Sequence, residues 1–239
     1  MVRDRGFEDI TTVGVAWGDD YVRRTLNAII FGEKQCGFGS RTLICPAEQA
    51  DPYHRLMDEY HIGHYHIEPM TSREFSRFMI EDLHLLANTD YLLNIQHDTA
   101  IIDRGMWEPE FFSYDYIGSP WKKSCGFQNR VGNGGFSLRS KRFLQASSDL
   151  VYEPLTDIDF HEHAHEDWFL CVKNYHVLMK KGVVFAPVEV AARFSVEHPI
   201  YEKSYDPLDL STYDAFGFHG SFNQAGYRLL SDNLETEQV

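Results

Sequence analysis

Apolar positions along the chain change period several times, and each change predicts an element. In ITTVGVAWGDD, residues 10–20, Val13, Val15 and Trp17 fall at alternate positions, the period of a strand. Gly18, Asp19 and Asp20 end it and suit a loop and a helix cap. Val22, Leu26 and Ile29 or Ile30 then share one helical face, so a helix is expected to about Phe31. RTLICP reads as a second strand closed by Pro46, and HYHIEPM as a third. After Ser72 the helical period returns, with Phe75, Met79, Leu83 and Leu86 on one stripe and Thr71 or Ser72 as cap. The strand Tyr91 to Ile95 follows and runs into three polar residues, Gln96, His97 and Asp98.

Strand, helix, strand, strand, helix, strand is the order of an α/β fold with a mostly parallel central sheet flanked by helices. Ligands of such sheets bind beyond the carboxyl ends of the strands, which is where Gln96, His97 and Asp98 stand. The second half is less regular. FFSYDYIGSPW predicts a short strand entering a turn, and KKSCGFQNRVGNGGFS a polar, glycine-rich loop followed by a strand. SKRFLQASSDLV predicts a helix. HEDWFLCVKNYHVLMKKG predicts one continuous helix, with Trp168, Cys171 or Val172, Tyr175 and Leu178 in register and Gly182 at its end. VVFAPVEVAARFSVE reads as a strand and an irregular stretch, and the residues after Gly220 as a polar tail.

A chain of 239 residues suits one large domain. A net charge of -14 repels nucleic acid and anionic membrane surfaces, and the Lys and Arg residues are scattered, so a nucleic-acid partner is not expected. Cys36, Cys45, Cys125 and Cys171 form no C-x-x-C pair, which predicts free thiols in a reducing compartment. The polar start and the lack of any run long enough to span a membrane predict a cytoplasmic protein, or one of a host cytoplasm if viral.

Four constellations can carry chemistry. An aspartate at a strand's end, such as Asp98, can hold Mn²⁺ or Mg²⁺ through oxygen, or it can simply cap a turn. In VGNGGFSLRS, Gly132, Gly134 and Gly135 allow positive φ and close approach of a ligand. Asn133 offers a donor and an acceptor for hydroxyls, and Arg139 can pair with a phosphate or with a buried carboxylate. This stretch is not a P-loop, since no Gly-Lys-Ser/Thr closes it; a tight hairpin turn explains it equally. Glu166 and Asp167 stand at a predicted helix start, where the dipole favours carboxylates and where one of them can act as general base. In FGFHG, His219 can close over a site as a metal ligand or pack among the aromatic residues. His161, His163 and His165 stand at alternate positions, and His61, His64 and His66 cluster likewise; both runs invite a metal-dependent hydrolase, although surface or locally bonded histidines explain them. Glu197 is a further carboxylate without an assigned role.

In order, Q-x-D after an apolar strand, D-Y-I-G-x-P-W, V-G-N-G-G-F-S-L-R-S, H-E-D, F-S-x-E and F-G-x-H resemble an uncharacterised glycosyltransferase-like family related to the GT-A nucleotide-sugar transferases. The resemblance runs from about Val13 to Gly220. It implies a single GT-A-like domain over 1–239, with a Rossmann-like nucleotide-sugar-binding half at about 10–100, an acceptor half at about 101–225 and a tail at 226–239. It implies a nucleotide-diphosphate sugar donor, a glycan or other hydroxyl acceptor, and Mn²⁺ or Mg²⁺. Asp98 and His219 would hold the metal, with Gln96 in the place of the usual first aspartate. Asn133, Gly134 and Gly135 would line the donor-sugar or acceptor pocket, and Arg139 would join the donor-binding residues. Trp17 and Gly18 would lie near base and ribose, and Asp167, or Glu166, would act on the acceptor hydroxyl. Lys122, Lys123 or Arg130 could share in stabilising the leaving diphosphate, and Tyr116, Trp121 and Phe218 are candidates for stacking on sugars, with core packing an equal explanation of each. A non-catalytic sugar- or nucleotide-binding module is the alternative.

Overall fold

The computed structural model describes residues 5–152, 165–198 and 205–235. Its strands are β1 (Ile10–Val15), β2 (Ser40–Cys45), β3 (Gly63–His66), β4 (Tyr91–Ile95), β5 (Thr99–Ile101), β6 (Tyr116–Gly118), β7 (Phe136–Ser140), β8 (Ser195–Val196) and β9 (Gly217–His219). The α-helices are α1 (Asp19–Cys36), α2 (Ala47–Ala50), α3 (His54–Glu59), α4 (Ser72–Glu81), α5 (Lys141–Ser148), α6 (Glu166–Trp168), α7 (Tyr175–Lys180), α8 (Val188–Phe194) and α9 (Gln224–Glu235). No helix among the described residues is long and apolar enough to cross a membrane.

The fold is α/β. The main sheet runs β3-β2-β1-β4-β7-β6; β3, β2, β1 and β4 are mutually parallel, while β7 lies antiparallel to both β4 and β6. Helices cover it. β1 is buried along its whole length, Thr11 and Thr12 included, so its apparent alternation gives way to the two-sided burial of a central parallel strand. The threonine hydroxyl of Thr11 meets that of Thr89 at 2.8 Å, which satisfies it inside. A smaller sheet, β5-β9-β8, stands apart from the main one.

Three elements differ from expectation. The long helix after His165 is interrupted. A π-helical turn spans Phe169–Lys173, Asn174 bonds back to the Phe169 carbonyl at 3.0 Å, and α7 restarts at Tyr175. The expected strand in 183–197 shrinks to a bridge at Phe185 and the two-residue β8. Between them Pro187 starts α8, which buries Val190, Ala191 and Phe194 at helical spacing. The expected tail is, as far as Glu235, the helix α9. Its Leu230 is fully buried, and the Leu230 carbonyl accepts a 2.7 Å bond from Asn27 of α1.

Candidate active site

Strand register assembles the site. β4 and β7 pair Ile95 with Phe136, so the chain leaves β4 at Gln96 beside Gly135, where it enters β7. In the small sheet Thr99 pairs with His219, and Val196 with Phe218. The next rung therefore sets Glu197 against His219 from one side, while Asp98, just ahead of Thr99, meets it from the other. Gly220 N–H also donates to the Asp98 carbonyl at 2.9 Å. Three strands far apart in sequence thus bring one residue each to the same place.

A cleft of about 310 Å³ opens there, lined by Trp17, Ser72, Phe75, Gln96, Asn133, Gly135, His165, Glu166, Asp167 and His219. Trp17 and Phe75 form an aromatic wall with ring centres 5.8 Å apart. They also border an adjoining hollow of about 220 Å³ that Val15, Ala16, Tyr21 and His97 complete. Phe75 is carried by α4, whose start is fixed by a capping box: the Thr71 hydroxyl accepts from Glu74 N–H, and Glu74 accepts from Thr71 N–H. Burial first lowers the pKa of His97, against the pull of Asp98.

One side of the cleft is an ion pair. Arg139 is wholly buried and donates to Glu166 at 3.1 Å, to Ser137 Oγ at 3.0 Å and to the Gly134 carbonyl at 3.4 Å. That carbonyl also accepts from Asn94 at 2.7 Å and from Ser137 Oγ at 2.9 Å, which fixes the glycine loop. Asp167 accepts from Gly134 N–H at 3.2 Å and Trp168 N–H at 2.7 Å. Burial and then the neighbouring Glu166 charge push its pKa up to about 6, and the field of His165 and the two N–H donors only partly offset them. Glu166 is held by the Arg139 ion pair, so Asp167 is the carboxylate poised to exchange a proton near neutral pH.

On the other side, His219 Nδ1 lies 3.4 Å from Glu197 Oε1 and its Nε2 lies 3.8 Å from Asp98 Oδ1. Burial opposes a charged His219, but the Glu197 contact and the fields of Asp98, Glu197 and Asp167 outweigh it and its pKa rises. Burial likewise opposes ionisation of Glu197, yet His219 and His198 hold its pKa below the usual value. Asp98 Oδ1, Glu197 Oε2 and His219 Nδ1 are buried, and none meets hydrogen-bond geometry with a partner among the described residues. Orphaned carboxylate oxygens beside an imidazole are a donor set that suits Mn²⁺ or Mg²⁺. No three His, Cys, Asp or Glu side chains among the described residues converge as a self-sufficient metal cage. A cation on Asp98 and His219 would therefore need further oxygens from a ligand such as a diphosphate.

The cleft brings together Trp17, Gln96, Asn133, Gly135, Glu166, Asp167 and His219, with Asp98 beside His219. Other expectations need correction. Arg139 does not reach the cleft as a donor-binding side chain, because its charge is spent on Glu166. Gly18 lies outside the lining; at φ 92 it begins α1, and its N–H is held by Gln49 at 2.9 Å. Gly134 stands behind the cleft wall. None of Gly132, Gly134 and Gly135 has positive φ; they are needed for close approach. A Cβ at Gly132 would strike Trp121, at Gly134 the Glu166 carboxylate, and at Gly135 the His219 ring. Tyr116 and Phe218 are fully buried core residues and present no face to a sugar. Lys122 and Lys123 are exposed, and Arg130 bonds the Trp121 carbonyl at 3.0 Å. His64 and His66 make local bonds to Cys45 and Ala47 at the edge strand β3, and His161 and His163 lie outside the described residues. The sequence leaves Glu197 without a role and does not mark Phe75 as a site residue. Phe75 was legible as core, but Glu197 joins the site only through the β8-β9 register.

A family model described as "Protein of unknown function (DUF5672)" matches residues 65–219, more than half of the chain, and the chain belongs to that family. The match contains Gln96, Asp98, Asp167, Glu197 and His219. No curated protein matches the sequence significantly. Among solved structures, glucosyl-3-phosphoglycerate synthase from Mycobacterium tuberculosis, in complex with phosphoglyceric acid, is similar at 9% identity and a TM-score of 0.41, covering 77% of this chain and 75% of that one. The inositol-1-phosphate CTP transferase from T. maritima is similar at 8% identity and a TM-score of 0.44, covering 96% of this chain and 97% of that one.

Proposed function

We propose that this member of the DUF5672 family transfers a sugar from a nucleotide-diphosphate sugar to an acceptor hydroxyl. The observation that carries the reading is one cleft with two complementary halves: an imidazole with under-satisfied carboxylates, and a separate carboxylate whose pKa stands at about 6. Asp98 and His219 would hold Mn²⁺ or Mg²⁺ together with the donor diphosphate, with Gln96 beside them as a neutral oxygen donor. When bound, such an ion supplies Lewis-acid stabilisation of the charge left on the departing nucleoside diphosphate. Asp167 takes the proton of the acceptor hydroxyl, aided by the Gly134 and Trp168 N–H groups that hold its carboxylate in place. Trp17 and Phe75 offer an apolar wall for a base or a sugar face. Asn133 orders the glycine loop through a 3.1 Å bond from Gly135 N–H to its Oδ1.

A thermal-shift screen of nucleoside diphosphates and nucleotide sugars, with and without Mn²⁺, tests the donor half, since a ligand of the native state raises its melting temperature. A stabilising pair that also releases nucleoside diphosphate supports transfer or its hydrolytic side reaction. No stabilisation by any pair sinks the reading. Gln96 favours one second reading, a non-catalytic nucleotide-sugar-binding module: there, binding is seen and no diphosphate is released under any divalent metal.

A further inference from the structure

We propose that Glu197 is a positioning residue that supplies, through His219, the negative charge that Gln96 does not bring to the cation locus. The inference rests on the reading of the cleft as a diphosphate and cation site. A histidine can offer only one nitrogen to an ion, and the other must be occupied. Here the two nitrogens have different neighbours: Nδ1 faces Glu197 Oε1 at 3.4 Å, a close approach just short of hydrogen-bond geometry, and Nε2 faces Asp98 at 3.8 Å. A carboxylate on Nδ1 holds the proton there and leaves the Nε2 lone pair directed away from it, which orients the ring and raises its basicity as a ligand. Gly135 locates the open edge. A Cβ there would meet both the Cδ2–Nε2 edge of His219 and Gln96 Oε1, so that edge, the Gln96 amide oxygen and Asp98 border one space.

The charge count agrees. Asp98 and Glu197 carry two carboxylates, buried to 16% and 12% residual side-chain exposure, each with an oxygen that lacks a partner. The register shows why the charge moved. β8 is a two-residue strand that ends one rung before His219, so the carboxylate arrives from the sheet edge opposite β5 and meets the Nδ1 side of the imidazole.

The test is Mn²⁺ alone, titrated into the full chain and followed by the loss of the free-ion electron paramagnetic resonance signal. Wild type should bind one ion, and Asp98→Asn should lose it. Glu197→Gln should bind about 10- to 100-fold more weakly, the usual cost of removing such a partner. Gln96→Asp added to Glu197→Gln should recover most of that loss, because a directly placed carboxylate replaces the one acting through the ring. If Asp98→Asn abolishes binding while Glu197→Gln matches wild type, the role of Glu197 is overturned and the cation reading stands. If wild type binds no Mn²⁺, both fall. Should Glu197→Gln fail to fold, the nitrogen chemical shifts of His219 in the wild-type protein at alkaline pH decide. A proton on Nδ1 supports the proposal, and a proton on Nε2 overturns it.

Discussion

Two charged clusters face the same cleft across successive glycines, and they are built differently. On the Gly134 side, Arg139 brings a permanent cation to Glu166 and the pair is closed in charge, although Arg139 Nη1 has no hydrogen-bond partner among the described residues. On the Gly135 side, Asp98 and Glu197 share one histidine and keep oxygens without partners. A buried pair that lacks one member is costly, so the first cluster is expected to govern stability. The second is left short of positive charge, so it is expected to govern ligand binding. Asp167 belongs to the first by position and to the chemistry by its raised pKa.

The largest effect is expected at Asp167. Asp167→Asn removes the proposed proton acceptor and should lower turnover about 10²- to 10⁴-fold, with nucleotide-sugar binding retained. The same change should raise the melting temperature at neutral pH. A carboxylate with a raised folded-state pKa contributes stability that is present when it is protonated, below about 4, and lost as pH rises through about 6. Wild type should therefore lose stability over that window, and the asparagine variant should not. Release of nucleoside diphosphate at the wild-type rate in the variant would exclude Asp167 as the base.

Next comes the closed pair. Arg139→Met leaves Glu166 buried without its cation and should cost about 3–5 kcal/mol, read by urea denaturation. Adding Glu166→Gln should return much of it. A loss under about 1 kcal/mol would mean that Glu166 finds water or another donor, and that the two clusters are less different than their contacts imply.

Much of the parallel half was legible, because local period and capping decide it: β1, α1, β2, β4 and the Thr71 cap all follow from spacing. The second half was not, because its elements are set by partners. The two residues of β8 carry no periodic signal and exist only beside β9. The π-helical turn after Trp168 preserves an apolar pattern that reads as continuous helix. Asp98, Asp167 and His219 stood out as polar residues at element ends. Whether Arg139 would meet a phosphate or a carboxylate was undecidable from sequence, since both ask for the same fork. Glu197 stood out only as a carboxylate in F-S-x-E without a role, because the rung that sets it against His219 is a long-range fact.

The adjacent glycines separate the two clusters within one dipeptide. A methyl at either position overpacks the site, at a cost of about 1–3 kcal/mol, but against different neighbours. Gly134→Ala should push on Glu166 and Arg139 and lower stability with little change in Mn²⁺ affinity. Gly135→Ala should displace the His219 edge, and should weaken Mn²⁺ binding more than it lowers the urea midpoint. Equal effects of the two substitutions on both readouts would merge the clusters into one.

The smallest expected effect probes their remaining link. Burial is the larger cause of the Asp167 shift and the Glu166 charge the second, so turnover should rise with pH to a plateau with an apparent pKa of about 6. Glu166→Gln removes the like charge and leaves Arg139 uncompensated nearby. Both changes favour the ionised Asp167, so the apparent pKa should move down. Burial persists in the variant, so the carboxylate should still titrate above an ordinary aspartate. The profile of turnover against pH measures this directly. A shift upward would mean that Arg139 swings away from the cleft once Glu166 is neutral, and that the pair, rather than burial, is what holds Asp167 ready at neutral pH.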